Sequence, residues 1–412
     1  MSEFFKSPFR IFQLRGGQNG PLLDTFIQEL QQSGFAKITA RRHIRTAEHL
    51  LHWARRKGIS PLTFNEDTVD EFARHLTRCR CKGYGHKHPR GMQMGARLFV
   101  DSFRRVEIPL PRLPAAAEDP QILALFCEWM RKNRGTCEAT LSNYCPHLRS
   151  LLRAIGDDTS RFEARSLRQF VQNATQRRGW AAGKQCVTAV RAFLRYLIAD
   201  GLCPPGLDAC IPALAHWRLS SLPRYLQPDE VERVIASCSS SSAGIRDRAI
   251  LLLLARAGLR AGDILRLRLN DLDWQEATIR VAGKGRRQSL LPMTQEIGDA
   301  IATYITKGRR QIDNDILFIR SRAPFRAFAS HCAISMIVAQ AMLRARVRCP
   351  SRGAAHVLRH SIASSMLRQG ASLQEIASVL RHRSIATTEI YAKVDVVALR
   401  EIAQPWPEGT SC

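Results

Sequence analysis

The residues best equipped for chemistry lie in the last 160 residues or so of the chain. HVLRH sets His356 and Arg359 three apart, which places them on one face of a helical turn. LRHRSIATTEIYAKV places His382 nine residues before Tyr391, while Arg260 stands in ARAGLRAGDILRLRL and Lys284 in VAGKGRRQSLLPM. Guanidinium groups present a planar fork that matches phosphate oxygens, so an anionic oxygen is the natural target of such a set. Each fragment alone is weak, because HxxR arises by chance in an Arg-rich chain and a lone tyrosine usually packs or caps. A second concentration of reactive types lies in RCRCKGYGHKH. There Cys79, Cys81, His86 and His88 are zinc-capable ligands within ten residues. Their spacing fits neither a CxxC knuckle nor a finger, and the flanking Arg and Lys suit phosphate. A basic loop is therefore the default, with metal binding as the alternative.

Positioning these groups requires a mixed scaffold over residues 222–403. QPDEVERVIASC opens with an acidic first turn, as helix starts do. IRDRAILLLLARAGLRAGDILRL is too continuously apolar for a surface helix and is expected at the buried centre of this domain. ATIRVA, the turn Gly283-Lys284-Gly285 and RRQSLLPM read as a β-hairpin. The remainder to about Leu399 is helical again, and Pro405 and Pro407 halt it in a tail of residues 404–412.

In this order and context, the residues resemble the tyrosine recombinase, or phage integrase, family. Its pattern is an Arg after a helix, a Lys on a hairpin turn, His-x-x-Arg, a His and finally a Tyr. Here those positions read Arg260, Lys284, His356 with Arg359, His382 and Tyr391. The resemblance is strong from about Leu222 to Leu399 and weaker over residues 119–215, which look like the family's core-binding domain. Residues 1–110 fall outside the commonest two-domain layout, although some members carry an extra helical arm-binding or dimerisation module. Asp263 sits where the family has an acidic orienting residue, and it could equally pair with Arg266 or Arg268. His360 completes HVLRH as a supporting residue. One departure stands out. The family commonly has Gly before the second His, whereas this chain has Arg381. Glycine there permits a tight turn; an Arg could contact DNA or mark an altered geometry.

The resemblance implies strand transfer on duplex DNA. Arg260 and Arg359 would hold the non-bridging oxygens of a scissile phosphate, with His382 as a third donor. Tyr391 would attack to give a 3′-phosphotyrosine and expel a 5′-hydroxyl. A phenol has an unperturbed pKa of ~10, so it needs a proton acceptor, for which His356 is the candidate. Lys284 would protonate the leaving oxygen. No metal or nucleotide cofactor is required. Leu399, Ile402 and Trp406 would dock on a neighbouring protomer in a homotetramer on DNA, or else pack within the same subunit.

The first half of the chain is expected to be helical and contains a candidate repeat. LLDTFIQELQQSGFAKITARRHIRTAEHLLHWA aligns with ILALFCEWMRKNRGTCEATLSNYCPHLRSLLRA, pairing Phe26 with Phe126, Thr39 with Thr140 and Leu50-Leu51 with Leu151-Leu152. TVDEFARHL around Phe72 likewise matches SLRQFVQNA around Phe170. Apolar residues recur at three- and four-residue steps, as amphipathic helices require, though any two helical hairpins share that pattern. The expected organisation is a helical module over 1–110, the Pro-rich linker Pro109–Pro114, and a second helical DNA-binding domain over 119–215 that would close with the catalytic domain around the duplex. Arg177, Arg178, Arg191, Arg195, Arg286 and Arg287 are the candidate DNA contacts.

Composition agrees with an anionic partner. The 412 residues carry 62 Lys plus Arg against 36 Asp plus Glu, a net charge of +26, and only ten of the basic residues are Lys. Residues 1–220 contribute +15 and residues 221–412 contribute +11, so the surplus is not a tail. The longest fully apolar run is Ala249–Ala255, well short of the ~20 residues that span a bilayer. The N-terminus lacks a secretory h-region, and twelve scattered cysteines then suggest reduced thiols in a soluble, cytoplasmic, nucleoid-associated protein. The expected fold is therefore mainly α with a small β-sheet (α+β). The leading function is a site-specific recombinase or integrase of a mobile element. A type IB topoisomerase or telomere resolvase shares the chemistry, and an accessory DNA-binding protein working beside sibling recombinases is the rival from another class.

Overall fold

The computed structural model describes residues 4–5, 7–16, 19–81, 83–84, 89–105, 120–213, 222–282, 288–349, 353–382 and 384–394. The linker 109–114 and the tail residues Leu399, Ile402 and Trp406 lie outside them. The chain divides into two compact units, Met1–Ile108 with Leu219–Cys412, and Pro109–Arg218.

Both helical segments share a series of four helices, which one further helix precedes in the first. The first runs α1 (Pro8–Arg15), α2 (Gly20–Gln32), α3 (Lys37–Lys57), α4 (Glu66–Leu76) and α5 (Pro89–Arg105). The second runs α6 (Gln121–Arg134), α7 (Glu138–Ile155), α8 (Ala164–Arg178) and α9 (Trp180–Ala199). A 3₁₀ turn interrupts each at the corresponding place, Pro61–Thr63 between α3 and α4 and Thr159–Arg161 between α7 and α8. The aligned Phe26 and Phe126 are both buried, as are Leu50-Leu51 and Leu151-Leu152. Phe26 meets Phe99 edge-on at 5.1 Å, and Phe126 meets Phe193 edge-on at 5.4 Å. The periodic apolar faces thus build two separate small cores, each closed by an aromatic pair.

Within the first unit, the N-terminal helices meet the C-terminal domain at the turn after α2. Gly34 adopts φ +74°, and a Cβ there would stand 2.6 Å from the Phe325 ring. The Phe325 amide donates to the Ser33 carbonyl at 3.3 Å, and Arg310 covers the same ring at 4.3 Å. Only glycine satisfies both the left-handed backbone and the close approach.

The C-terminal domain winds around one buried helix. Gln227 and Glu230 form a reciprocal cap on α10 (Pro228–Ala236), as the acidic start predicts. Ser241 caps α11 (Ser242–Ala255) by accepting from the Gly244 amide at 3.2 Å. Residues Ile250–Leu254 of α11 are fully buried. Each such side chain contributes about 1.5–3 kcal/mol relative to exposure. Helix α12 (Ala261–Arg266) leads to a three-stranded antiparallel sheet of β1 (Leu272–Asp273), β2 (Thr278–Ala282) and β3 (Gln288–Pro292), in that order. Strands β2 and β3 pair in register from Thr278 with Pro292 to Ala282 with Gln288. This is the expected hairpin; its turn, with Lys284, Arg286 and Arg287, lies outside the described residues. Helices α13 (Gln295–Thr303), α14 (His331–Arg344), α15 (Ala354–Arg368) and α16 (Leu373–Val379) complete the domain. Two 3₁₀ segments follow, Ile385–Thr387 and Glu389–Val394. The fold is mainly α with one small sheet.

Candidate active site

The site is assembled from four short pieces of the C-terminal domain. Arg260 is the N-cap of α12, where its amide donates to Asp263 Oδ2 at 3.1 Å. That bond fixes the backbone from which the Arg260 side chain projects. Asp263 is buried, and it also binds the Arg381 guanidinium at 2.8 Å and Arg266 at 3.4 Å. Asp263 therefore anchors the site rather than joining only the local Arg266 pair, and no ion pair to Arg268 forms, since Arg268 pairs with Asp315.

Arg359 comes from the middle of α15 and is 5% exposed. Its guanidinium donates to the carbonyls of Gly258 and Leu380, so one side chain ties the end of α11 to the end of α16. Arg260 donates in turn to the carbonyl of Arg381 at 3.1 Å. Burial, then the charges of Arg260 and Arg381, push the Arg359 pKa down to about 9, which leaves it charged at neutral pH. The charges of four guanidiniums, Arg260, Arg266, Arg359 and Arg381, bear on the single carboxylate of Asp263. Like charges ~4 Å apart repel by about 4 kcal/mol at an effective dielectric of 20. A pocket with this surplus is stabilised by an incoming anion.

Arg381 stands where the family resemblance expects Gly, and the structure shows both why glycine suits the position and how arginine is held there. Its φ is +51°, a left-handed conformation that costs a non-glycine residue about 1–2 kcal/mol. The nearly buried ion pair with Asp263 offsets that strain. Of the two readings of Arg381, a free DNA contact gives way to an altered local geometry, because the guanidinium is turned inward onto Asp263.

Tyr391 is 1% exposed and packs against Ala363, Ile376 and Leu380. Its hydroxyl lies 2.7 Å from His360 Nδ1. Burial raises the phenol to about 12, with Arg359 opposing the shift. Burial, then the charges of His356 and Arg359, lower His360 to about 4, so the ring is neutral at pH 7. This corrects the expectation that His356 faces the phenol: His360, one helical turn further along α15, holds the hydrogen bond. His356 is exposed at the start of α15, its ring centroid 6.4 Å from that of His360. Desolvation and the charges of Arg359, His331 and Arg260 keep it below the ordinary histidine range. His382 Nδ1 binds the hydroxyl of fully buried Thr388 at 2.8 Å. Burial, then Arg359 and Arg260, lower His382 to about 4 as well. Thr388 gave no sign in the sequence, since a threonine three residues before a tyrosine has no motif of its own.

The candidate DNA contacts in the second unit divide differently. Arg177 is exposed on α8; for Arg178 only the backbone is described. Arg191 is committed to the Ile211 carbonyl at 2.6 Å, and Arg195 pairs with Asp208 at 3.1 Å. That corrects both as free phosphate contacts. They share the face of α9 that holds the segment before residue 213, and periodicity alone does not say which partner a basic face meets. Arg191→Ala should therefore lower the melting temperature with little change in DNA affinity. Arg177→Ala should weaken binding to all sequences and reduce the salt slope by about one. Salt-dependent fluorescence anisotropy checks both; a uniform loss of affinity in Arg191→Ala would restore it as a contact.

Comparison with known proteins agrees with the fold. Residues 224–397 match the model of the phage integrase family. Over 414 residues the chain is 33% identical to y4rA of Sinorhizobium fredii, which bears the provisional name integrase/recombinase, with 99% of each protein covered. Tyrosine recombinase XerD of Listeria innocua is 28% identical over 222 residues, covering 52% of this chain and 72% of that protein. Among solved structures, the XerH site-specific recombinase bound to difH superposes with TM-score 0.53 at 20% identity, covering 69% of this chain and 85% of that one. A lambda integrase dimer on a core site gives 0.52 at 17%, covering 70% and 99%. These two show the shared fold. The family match and the sequence relatives define a site-specific DNA strand transferase. The chain belongs to the phage integrase family of tyrosine recombinases. Among the described residues no helix is long and apolar enough to cross a membrane.

Proposed function

We propose that this enzyme cuts and rejoins duplex DNA at specific sites through a covalent 3′-phosphotyrosine on Tyr391, in the service of a mobile genetic element. The observation that carries the reading is the placement of two guanidiniums: the charge of Arg359 acts on the Tyr391 phenol that meets His360, and Arg260 is held on the Arg381 carbonyl, where its charge acts with that of Arg359 on His382. Arg260 and Arg359 bind the non-bridging oxygens of the scissile phosphate. Of the five donors of a guanidinium, Arg359 uses only part on Gly258 and Leu380, which leaves others for the phosphate. His382, oriented by Thr388, adds a neutral donor. The Tyr391 oxygen attacks phosphorus, its proton passes to His360, and the bond to the 5′-oxygen breaks. Lys284 on the hairpin turn protonates that oxygen. Attack by a 5′-hydroxyl of another strand reverses the step, so no external energy source is needed.

The duplex itself, a tetrameric or mixed assembly on it and the link to a mobile element are part of the same proposal. They draw on the basic surplus and on relatives named as integrases and recombinases. The test is incubation with a nicked suicide duplex carrying the element's end, followed by denaturing electrophoresis. A protein–DNA adduct that retains a label placed 5′ of the scissile phosphate is expected, because that strand keeps the 3′-phosphate joined to Tyr391. Relaxation of supercoiled DNA lacking any such site would favour the topoisomerase reading. Absence of any adduct on cognate ends, with DNA binding intact, would favour the accessory role.

A further inference from the structure

The cysteines of RCRCKGYGHKH do not stand alone in the folded N-terminal module. Cys79 Sγ lies 3.4 Å from His49 Nε2, and Cys81 Sγ lies 3.6 Å from His75 Nε2. One ligand atom from each of these four residues lies within 4.8 Å of every other. His49 comes from α3, His75 from the last turn of α4, and the two cysteines from the segment after α4. The spacing His49-x25-His75-x3-Cys79-x-Cys81 is invisible to a search for knuckles, because the partners of the C-x-C pair lie upstream. His86 and His88, the ligands suggested by proximity in sequence, lie outside the described residues.

We propose that His49, His75, Cys79 and Cys81 form a structural zinc site of Cys₂His₂ type. Tetrahedral zinc with bonds of ~2.3 Å to sulfur and ~2.0–2.1 Å to nitrogen places N and S about 3.5–3.6 Å apart. The two nitrogen–sulfur distances, 3.4 and 3.6 Å, are edges of that tetrahedron. The surroundings hold the donors in place. The Cys81 amide donates to Cys79 Sγ at 3.3 Å, a bond that favours the thiolate. Tyr84 stacks on the His49 ring at 4.5 Å and 7°, and Trp53 lies over His75 at 5.9 Å. Cys81 is buried and Cys79 half-buried, which shields the sulfurs from oxidation. Two thiolates and two neutral imidazoles balance the charge of a divalent soft-ligand cation, a donor set that suits zinc and disfavours magnesium or calcium. Four protein donors leave no open position, so the metal is a staple and not a reagent. It ties α3 to the far end of α4, elements that otherwise meet chiefly through α5.

The test uses the full chain, expressed with zinc and dialysed against metal-free reducing buffer. Mass spectrometry of the metal should find about one zinc per chain, released when the thiols are blocked by an organomercurial. Cobalt exchanged into the site should give the intense visible bands of tetrahedral coordination with thiolate charge transfer. Cys79→Ser and Cys81→Ser should each fall below about a tenth of an equivalent, while Cys137→Ser, at an exposed position in the other unit, keeps the metal. His75→Cys should retain it with a cobalt spectrum of higher thiolate content. Wild-type protein without zinc and without a tetrahedral cobalt spectrum would overturn the site. So would metal retained in His49→Ala and His75→Ala but lost in His86→Ala or His88→Ala. Should the serine variants fail to fold, the wild-type zinc content and cobalt spectrum decide alone.

Discussion

Tyr391→Phe should abolish the covalent DNA adduct while leaving fold and DNA affinity intact. The substitution removes one oxygen from a side chain that is otherwise buried against Ala363, Ile376 and Leu380, so the packing survives. What is lost in stability is one hydrogen bond to His360, worth roughly 0.5–1.5 kcal/mol net. What would be lost in chemistry, on the proposed role of Tyr391, is the nucleophile, for which phenylalanine has no substitute. The same pair sets a pH signature. His360, held at about 4, is a neutral acceptor throughout the usual range, so wild-type cleavage should fall only as pH drops towards that value and the ring takes a proton. The pair at rest is far from ionised. A phenol near 12 and an imidazole near 4 are separated by eight units, a transfer cost on the order of 10 kcal/mol. For the proposed attack to proceed, the arriving phosphate would have to remove most of that cost. Suicide-substrate gels at several pH values measure both effects; an adduct formed by the Phe variant would transfer the nucleophile elsewhere.

Arg359→Ala should lower strand cleavage by on the order of 10²–10³ through loss of a transition-state donor. It should also soften the domain, because the carbonyls of Gly258 and Leu380 both lose their partner in a buried setting, at about 1–3 kcal/mol each. Arg359→Lys separates the two roles. It restores a positive charge but not the planar fork that reaches two carbonyls at once, so binding recovers further than cleavage or melting temperature. Single-turnover cleavage with thermal melting on the same preparations tests the pair. A cleavage rate in Arg359→Ala equal to wild type would remove this guanidinium from the reaction.

The features recoverable from the sequence are those written in local patterns. The unbroken apolar run at Ala249–Ala255 announces the buried helix α11, and Gln227 with Glu230 announces where α10 begins. The paired β-branched segments around residue 284 announce a hairpin. The order Arg260, Lys284, His356, Arg359, His382, Tyr391 carries the family. Features that depend on how elements meet were out of reach. No periodicity distinguishes His356 from His360 as the neighbour of Tyr391, since both face the same side of α15 and the choice is made by the 3₁₀ segment after Thr388. Arg191 and Arg195 look like a basic DNA face until the segment ending at residue 213 folds against them. Gly34 could be read as any turn glycine until Phe325 is seen above it. His49 and His75 are 26 residues apart, and nothing local joins them to Cys79 and Cys81.

If Tyr391 acts as proposed, the element that bears it has a consequence for DNA that is not a target. Glu389–Val394 is a six-residue 3₁₀ segment, longer than this tight geometry usually sustains, preceded by another short 3₁₀ turn at Ile385–Thr387. Such segments cost little to reshape compared with an α-helix of the same length. Tyr391, the nucleophile we propose, is thus buried on a short 3₁₀ segment, and burial holds its hydroxyl against ionisation. A chance encounter between this chain of charge +26 and DNA would then meet the hydroxyl buried. On that proposal, only a duplex that repays the exposure of Tyr391 would be cut, and the brief collisions that locate a target would leave no breaks behind.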